Sequence, residues 1–188
     1  RLGQREALFV DVTCDDHRRP EQPRGHHRGQ PRGSRAEHEN HVRRLDFADA
    51  RRALVADPAL IPDAMEESLR FNTSAQRFKR TLQQDVELHG QQMKAGDAVM
   101  LCYGSANRDE RMFPDPDLYD IARRPKRHLG FGGGVHACLG SMLARVATQT
   151  VFEEFLAAVP DFTRMDSQLS WVPSSNFRSP QALRLARG

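Results

Sequence analysis

The sequence contains few cysteines and no long hydrophobic run, and both absences limit what the protein can be. Three cysteines, Cys14, Cys102 and Cys138, stand among 188 residues. They form no even disulfide framework, which favours a reducing compartment. No apolar stretch approaches the ~20 residues needed to span a bilayer, and the apolar residues 7–10 are too few for the core of a signal peptide. We therefore expect a cytoplasmic protein with no membrane partner.

The overall composition is polar but not strongly charged. Hydrophobic residues make up 38% of the chain, the mean hydropathy is −0.67 and the formal net charge is only +3. A chain of this length is long enough for one domain with a core of its own. The polarity is concentrated near the N-terminus rather than spread along the chain.

Residues 13–44 differ in kind from the rest of the sequence. This tract carries eight arginines and five of the eight histidines, interspersed with proline and glycine. Such a segment buries too little apolar area to offset its chain entropy. We therefore predict a disordered or aberrant segment over residues 1–45 and a folded part over residues 46–188.

Two functional interpretations of the tract are less favoured than a solvated tail. Cys14 and His17 followed by His26 and His27 contain metal-binding side chains, but their spacing fits no common zinc finger. The arginines could form a nucleic-acid-binding arm, but no aromatic residues are interleaved for base stacking. We therefore expect neither a zinc site nor a nucleic-acid partner.

The most informative stretch is Phe-Gly-Gly-Gly-Val-His-Ala-Cys-Leu-Gly at residues 131–140. Three consecutive glycines allow the backbone to adopt positive φ and to approach a flat ligand closely. Cys138 then stands just before a helical pattern, where unpaired N–H groups and the helix dipole favour a thiolate. A thiolate is the form that binds metal. The alternative is an inert buried cysteine, but the spacing favours an axial ligand of haem iron.

This stretch resembles the haem-binding loop of the cytochrome P450 monooxygenases, with Phe131, Gly134, Cys138 and Gly140 at the matching positions. The resemblance covers about residues 46–188 and is to the soluble, bacterial kind. It implies part of the cytochrome P450 fold, mainly α with small β-sheets. It also implies a haem b cofactor (iron protoporphyrin IX), a small organic substrate, and an electron donor of the ferredoxin or reductase type.

The resemblance further implies the residues that contact the cofactor. Haem propionates are carboxylates and need cationic or N–H partners, and Arg80, His128 and His136 match the positions that supply them. For each histidine the alternative is an ordinary exposed loop residue. The full set of implied cofactor contacts is Arg80, His128, Phe131, Gly132, Gly134, His136, Cys138, Gly140 and Ala144.

A Glu-x-x-Arg pattern precedes the cysteine loop. Glu67 and Arg70 are three residues apart on a predicted helix and are therefore neighbours. Taken alone, the pair is a surface ion pair worth a few tenths of a kcal/mol. The resemblance implies instead a structural triad with Arg123, which keeps the proximal side of the haem pocket in place.

Two segments are candidate walls of a substrate pocket. The resemblance implies that the segment after the Glu-x-x-Arg helix and a loop near the C-terminus face the substrate, although a surface loop is the alternative for the second. The family usually has proline in the first segment, and this sequence has none there. The candidates are Thr73, Ser74, Ala75, Gln76, Asn176 and Phe177.

Periodicity and turn residues predict the order of elements. Apolar spacing predicts helices near residues 47–55 and 60–71 and a long helix from the cysteine loop to about Val159, which Pro160 ends. Shorter elements are expected as strands at 78–82, 86–89 and 98–103, a short helix at 105–110, an irregular stretch at 113–117, and strands at 162 and 182–186.

The predicted function is insertion of one oxygen atom of O2 into an organic substrate. The family's distal helix carries an acid–threonine pair, and no Ala-Gly-x-Asp/Glu-Thr run occurs in this sequence. The tract at 13–44 is what an out-of-frame or truncated gene would place there. The alternatives are therefore an inactive haem-binding remnant or a basic interaction protein. Lys126, Arg127 and Arg145 flank the loop and could meet an acidic electron donor, or form a solvated basic face.

Overall fold

The computed structural model describes residues 47–125 and 127–188. The predictions for the basic tract, including disorder, a zinc site and a nucleic-acid arm, lie outside these residues, as does Lys126. The division of the chain at residues 45 and 46 therefore stays a prediction.

The described part begins with two helices. Helix α1 spans Phe47–Ala56 and helix α2 spans Ile61–Phe71, with a 3-10 turn at Pro58–Leu60 between them. Asp57 ends the first helix and caps the turn, because its side chain accepts a 3.1 Å hydrogen bond from the backbone N–H of Ala59. Both predicted helices are confirmed.

A small core joins these helices to the segment that precedes the cysteine loop. Ala50 of α1, Ala64 of α2 and Ile121 are buried together. Ile121 lies in a 3-10 turn, Ile121–Arg123, and is only 1% exposed. Burial of a large apolar side chain such as Ile121 contributes about 1.5–3 kcal/mol to the free energy of unfolding. The core thereby fixes Arg123 beside helix α2.

The strands form three two-stranded antiparallel sheets within the described residues. Strand β1 (Arg77–Thr81) pairs with β4 (Ala98–Cys102), and β2 (Val86–Leu88) pairs with β3 (Gln91–Met93). The sequence pattern predicted β1, β2 and β4 but not β3. His89 and Gly90 turn the β2–β3 hairpin with φ of 50° and 76°, as a two-residue turn requires.

One short helix lies elsewhere than predicted. Helix α3 spans Tyr103–Ala106 rather than 105–110, because the chain turns directly out of β4 and Asn107 already caps the helix. The following residues, up to the turn at Ile121, form turns and bends with no helix or strand. This agrees with the expectation that the two prolines, Pro114 and Pro116, exclude a continuous helix.

The C-terminal part consists of one long helix and a last strand pair. Helix α4 spans Ser141–Ala158, which confirms the predicted helix before Pro160. Strand β5 (Phe162–Arg164) pairs with β6 (Leu185–Arg187). The last strand begins three residues later than the apolar pattern at 182–186 predicted, because Arg164 pairs with Leu185.

Much of α4 has no partner among the described residues. Leu156 is buried, but Met142, Leu143 and Val146 are 60–74% exposed. Exposed apolar faces of this kind mark interaction surfaces. No helix within the described ranges is both long and apolar enough to cross a membrane.

Candidate haem-binding site

The cysteine loop runs from Leu129 to Gly140 and is folded by its own backbone hydrogen bonds. The N–H of Gly132 bonds to the carbonyl of Leu129 at 2.9 Å, and the N–H of Cys138 bonds to the carbonyl of Phe131 at 2.9 Å. Gly132 and Gly134 have φ of 69° and 62°. Since L side chains rarely adopt such angles, these two glycines are required by the shape of the loop.

Cys138 lines a cavity of about 540 Å³. One wall is strand β1, whose alternating burial places Phe78 and Arg80 on the same face. Phe177 packs edge-on against Phe78, with ring centroids 5.6 Å apart. The cavity is lined by Ser74, Ala75, Phe78, Arg80, Tyr103, Gly130, Phe131, Gly132, His136, Cys138 and Phe177.

The lining residues fit a haem group. Aromatic and aliphatic side chains form most of the surface, as a flat apolar macrocycle requires. Arg80 and His136 supply the polar groups that carboxylates need. Cys138 is an exposed, free cysteine, so its sulfur can reach a metal. Gly132 has no side chain, so its backbone itself forms part of the cavity wall. A Cβ at this position would lie 3.6 Å from the hydroxyl oxygen of Tyr103, another lining residue.

His128 has other partners. It does not line the cavity, and both its ring nitrogens are engaged. Nδ1 accepts a 3.0 Å hydrogen bond from the N–H of Gly130, so Nε2 carries the hydrogen and donates to Glu66 at 2.8 Å. Neither ring nitrogen of His128 is free in this structure, so the role of His128 as a propionate partner stays a prediction.

The remaining predicted cofactor contacts lie around the cysteine loop. Gly134 and Gly140 are exposed parts of the loop, and a Cβ at Gly140 would lie 4.0 Å from the sulfur of Cys138. Ala144 lies on α4 and lines a second apolar cavity, of about 420 Å³, between helices α2 and α4. Phe131 lines both cavities, so its ring lies between them.

The structure brings Glu67, Arg70 and Arg123 together in a buried network. Arg70 donates to both carboxylate oxygens of Glu67 at 2.7 Å, and neither side chain is exposed. Arg123 approaches the same carboxylate, with its Nε 3.2 Å from Oε1. This is not the surface ion pair that the Glu-x-x-Arg pattern suggests when taken alone.

The same arginines organise the irregular stretch that precedes the cysteine loop. Arg70 and Arg123 both donate to the carbonyl of Leu118, at 3.1 and 3.2 Å. Arg70 also binds the carbonyls of Asn107 and Pro116, at 2.9 and 2.8 Å. Because these carbonyls have no strand partner, the guanidinium groups supply the hydrogen bonds that a buried backbone needs.

Asn107 connects this network to the cysteine loop. It is fully buried, and its Oδ1 accepts a 2.6 Å hydrogen bond from the N–H of Leu129. Sequence reasoning missed Asn107, since nothing in its neighbours marks it as buried. It also missed Phe78 and Tyr103, although the alternation that places Arg80 on one face of β1 places Phe78 there too.

The substrate-pocket candidates divide between two places. Ser74, Ala75 and Phe177 line the cavity beside Cys138. Thr73 and Gln76 line a separate polar cavity of about 150 Å³ that also includes Arg70 and Arg108. Asn176 lines neither cavity, and its backbone carbonyl accepts a 2.7 Å hydrogen bond from the N–H of Gln76.

The loop at residues 171–180 is held against the segment that follows helix α2. Ala75 and Phe177 form an antiparallel bridge, and the N–H of Arg178 bonds to the carbonyl of Ser74 at 2.7 Å. The two predicted pocket segments are therefore hydrogen-bonded to each other. Together they form the wall of the cavity that carries Phe177.

Of the cations suggested for an acidic electron donor, one is already paired. Arg145 makes a two-bond ion pair with Glu66, with Nε 2.5 Å from Oε1 and Nη2 3.0 Å from Oε2. Arg127 is exposed. The guanidinium of Arg145 also lies 4.7 Å from the centre of the Phe131 ring.

The Glu66–Arg145 pair shifts the pKa of both partners. Burial alone raises the pKa of Glu66, but hydrogen bonds from Arg145 and His128 outweigh it and hold the carboxyl below its ordinary value. The hydrogen bond to Glu66 raises the pKa of Arg145. Glu66 is therefore ionised at neutral pH.

Comparison with known proteins identifies the family. Residues 52–159 match the family model described as Cytochrome P450, which is more than half of the chain. The protein therefore belongs to the cytochrome P450 family.

Three relatives illustrate the similarity. Cytochrome P450-terp of a Pseudomonas species is 50% identical over 101 residues, which are 54% of this chain and 24% of that protein. Steroid C26-monooxygenase of Mycolicibacterium smegmatis is 42% identical over 127 residues, 68% of this chain and 32% of that protein. The crystal structure of CYP109E1 from Bacillus megaterium with testosterone superposes with a TM-score of 0.71 at 32% identity, covering 75% of this chain and 39% of that one.

These matches confirm part of the predicted fold. The described residues superpose on a portion of the cytochrome P450 fold, with four helices and three small sheets. The chain spans about a quarter to two fifths of the length of these relatives.

Proposed function

We propose that this chain is the cysteine-ligand part of a haem-thiolate monooxygenase, which inserts one oxygen atom of O2 into a small organic substrate. The observation that carries the proposal is Cys138: a free, exposed thiol that lines a largely apolar cavity. Family membership supports haem b as the group that the cavity takes. When bound, a thiolate-ligated haem supplies O2 activation, with electrons from a ferredoxin or reductase partner.

The proposal assigns a role to several residues that line the cavity and to the buried network beside it. Cys138 would supply the thiolate that holds the haem iron, and the glycine-rich backbone on its N-terminal side would allow close approach of the flat group. Arg80 and His136 would bind its carboxylates. Phe78, Phe131 and Phe177 supply apolar surface that excludes water. The buried network of Glu67, Arg70 and Arg123 keeps the segment before the loop in one conformation, and its role is structural.

The substrate we propose is a small, mainly apolar organic molecule. Ser74, Ala75 and Phe177 are the side chains of the two pocket segments that line the cavity, and two of the three are apolar. One relative is named as a steroid monooxygenase, and the structure of another contains testosterone. A steroid-sized hydrophobic compound is therefore the first class to test.

A second candidate is a haem-binding protein without turnover. It is favoured by the exposure of the loop, since Val135 is 97% and Leu139 is 100% exposed. Oxygen chemistry needs a site from which water is excluded. Among the described residues, nothing covers these two side chains.

The test of the proposed function is a cysteine exchange with a matched control. The purified 188-residue chain is reconstituted with haem and reduced under CO, and the difference spectrum is recorded. Cys138→Ser should abolish the thiolate-type band, whereas Cys102→Ser, which changes a free cysteine on strand β4, should keep it. A thiolate-type band that survives in Cys138→Ser would contradict the assignment.

The two candidates are separated by turnover. The chain is supplied with a surrogate ferredoxin system and a steroid, and product is measured by mass spectrometry. Incorporation of one oxygen from labelled O2 supports the monooxygenase. A normal thiolate band without product supports the haem-binding protein.

A further inference from the structure

We propose that Glu66 is a positioning residue for the cysteine loop, and this inference rests on the proposed function of that loop. Glu66 touches neither the cavity nor Cys138. It acts through two side chains, one on each side of the loop: His128, which precedes it, and Arg145, which follows it on helix α4.

The first observation is that one carboxylate binds both side chains. Arg145 donates to Glu66 through Nε at 2.5 Å and Nη2 at 3.0 Å. His128 donates from Nε2 to Oε2 at 2.8 Å. His128 is almost fully buried and Glu66 is about one quarter exposed. Charge-assisted bonds in this partly buried setting are stronger than those between neutral groups.

The second observation is that both side chains contact the loop itself. His128 Nδ1 accepts the N–H of Gly130 at 3.0 Å, which fixes the backbone where the loop begins. The guanidinium of Arg145 lies 4.7 Å from the centre of the Phe131 ring, within range of a cation–π interaction. The carbonyl of Phe131 in turn accepts the N–H of Cys138. Glu66 is therefore connected to the backbone of the cysteine through three successive contacts, by way of Arg145 and Phe131.

The third observation is the close approach of helix α2 to the loop. A Cβ at Gly130 would lie 2.9 Å from the carbonyl oxygen of Leu69, so the loop runs directly against the helix. Its position on that surface is set by polar groups on either side, Glu66 through His128 and Asn107 through the N–H of Leu129. Without the carboxylate, one of these two attachments is lost.

Glu66 and Glu67 are neighbours in sequence with separate tasks. Glu67 binds Arg70, Arg123 and the N–H of Asp120, so it organises the irregular stretch before the loop. Among the described residues, Glu66 binds His128, which directly precedes the loop, and Arg145 of α4. Successive residues point about 100° apart on a helix, which allows one turn of α2 to serve both.

The test measures hydrogen exchange at single amides of the full chain before haem is added. Glu66→Gln keeps the size of the side chain and removes its charge. We expect exchange at Gly130 and Cys138 to become about tenfold faster, the change that a loss of 1.4 kcal/mol in local stability produces. Exchange at Arg80 and Val99, paired between β1 and β4, should not change. Asp85→Asn, which removes an exposed ion pair with Lys94, is the matched control.

A second variant covers the case in which Glu66→Gln does not fold. Arg145→Lys keeps the charge but loses the two-bond geometry and the planar group over Phe131, and it should accelerate exchange at Cys138 more than at Gly130. Unchanged exchange at both amides, or an equal increase at all amides, would overturn the proposal.

Loading with haem separates this proposal from the proposed function. In Glu66→Gln the thiolate-type CO band should convert in part to the band of CO-bound haem that has lost the thiolate ligand. Asp85→Asn should keep the parent spectrum. If the parent chain binds no haem but the exchange result is as expected, the proposed function fails and the positioning role of Glu66 stands. If the parent binds haem and the variant matches it in both measurements, only the positioning role fails.

Discussion

Arg70 and Glu67 form an ion pair in which neither side chain is exposed and both carboxylate oxygens are used. The remaining nitrogen of Arg70, Nη1, binds the backbone carbonyls of Asn107 and Pro116. A buried pair of this kind gains little over an apolar replacement, but loss of one partner leaves a charge without compensation. The pair is therefore a point where a single substitution has a large effect.

The first prediction concerns this pair. Glu67→Gln should lower the free energy of unfolding by about 3–5 kcal/mol, because Arg70 and Arg123 lose their counter-charge in a buried site. Urea denaturation followed by circular dichroism measures it. The matched control Asp85→Asn should leave the free energy of unfolding unchanged, since the ion pair of Asp85 with Lys94 is exposed to solvent. Equal effects of the two variants would contradict the prediction.

The second prediction concerns the glycines of the cysteine loop. Gly134 has φ of 62° and an open space around its Cβ position, so Gly134→Ala should cost about 1 kcal/mol through backbone conformation alone. Gly133 has φ of −163°, which any residue adopts, and Gly133→Ala should be neutral. Thermal unfolding of both variants tests this. If Gly133→Ala loses more stability than Gly134→Ala, then contacts of the added methyl group, rather than the backbone angle φ, determine the cost.

The third prediction concerns Arg80. Because strand residues alternate in direction, Arg80 faces the cavity with Phe78, while Lys79 is on the opposite, exposed face. Arg80→Gln should accelerate haem loss about tenfold, the effect of one charge-assisted hydrogen bond of roughly 1.5 kcal/mol. Lys79→Gln should leave it unchanged. Transfer of haem to an excess of apomyoglobin measures the rate, and similar rates in both variants would exclude Arg80 as a carboxylate partner.

The fourth prediction concerns the exposed apolar face of helix α4. Leu143 and Val146 are 74% and 60% exposed, whereas Leu156 is only 6% exposed. Leu143→Glu should reduce self-association and binding of an apolar dye without lowering the free energy of unfolding. Leu156→Glu should unfold the protein, because it buries a charge. If Leu143→Glu is equally damaging, a partner surface covers this face in the purified chain.

The fifth prediction concerns pH. The pKa of Glu66 lies below its ordinary value in the folded chain, so its contribution to stability is complete above the unfolded pKa of about 4.5. That contribution is lost as pH falls through the lower, folded value. Glu66→Gln should therefore flatten the dependence of unfolding free energy on pH below about 5. If the curve of Glu66→Gln runs parallel to that of the parent at a constant distance, the pKa of Glu66 is the same in the folded and unfolded states, and the prediction is wrong.

Much of the secondary structure could be predicted from local sequence, and local sequence alone also singles out the cysteine on which the proposed function depends. The spacing of Phe131, Gly134, Cys138 and Gly140 needs no tertiary information, because glycine conformational freedom and a cysteine before a helix are local properties. The same is true of helix α4, which ends at Ala158, just before Pro160. The short elements are less well determined: α3 lies earlier than predicted and β3 was missed, since a few residues carry little periodicity.

What the sequence by itself determined is the family, and it also singles out Cys138 as the proposed ligand, because both depend on residues close together in the chain. The tertiary structure alone assigned His128 to Glu66 rather than to the cavity, buried Asn107 beneath the loop, and paired Glu66 with Arg145, 79 residues away. The physical reason is that a polar side chain takes whichever partner the packing of helices brings within about 3 Å. No local pattern records that distance.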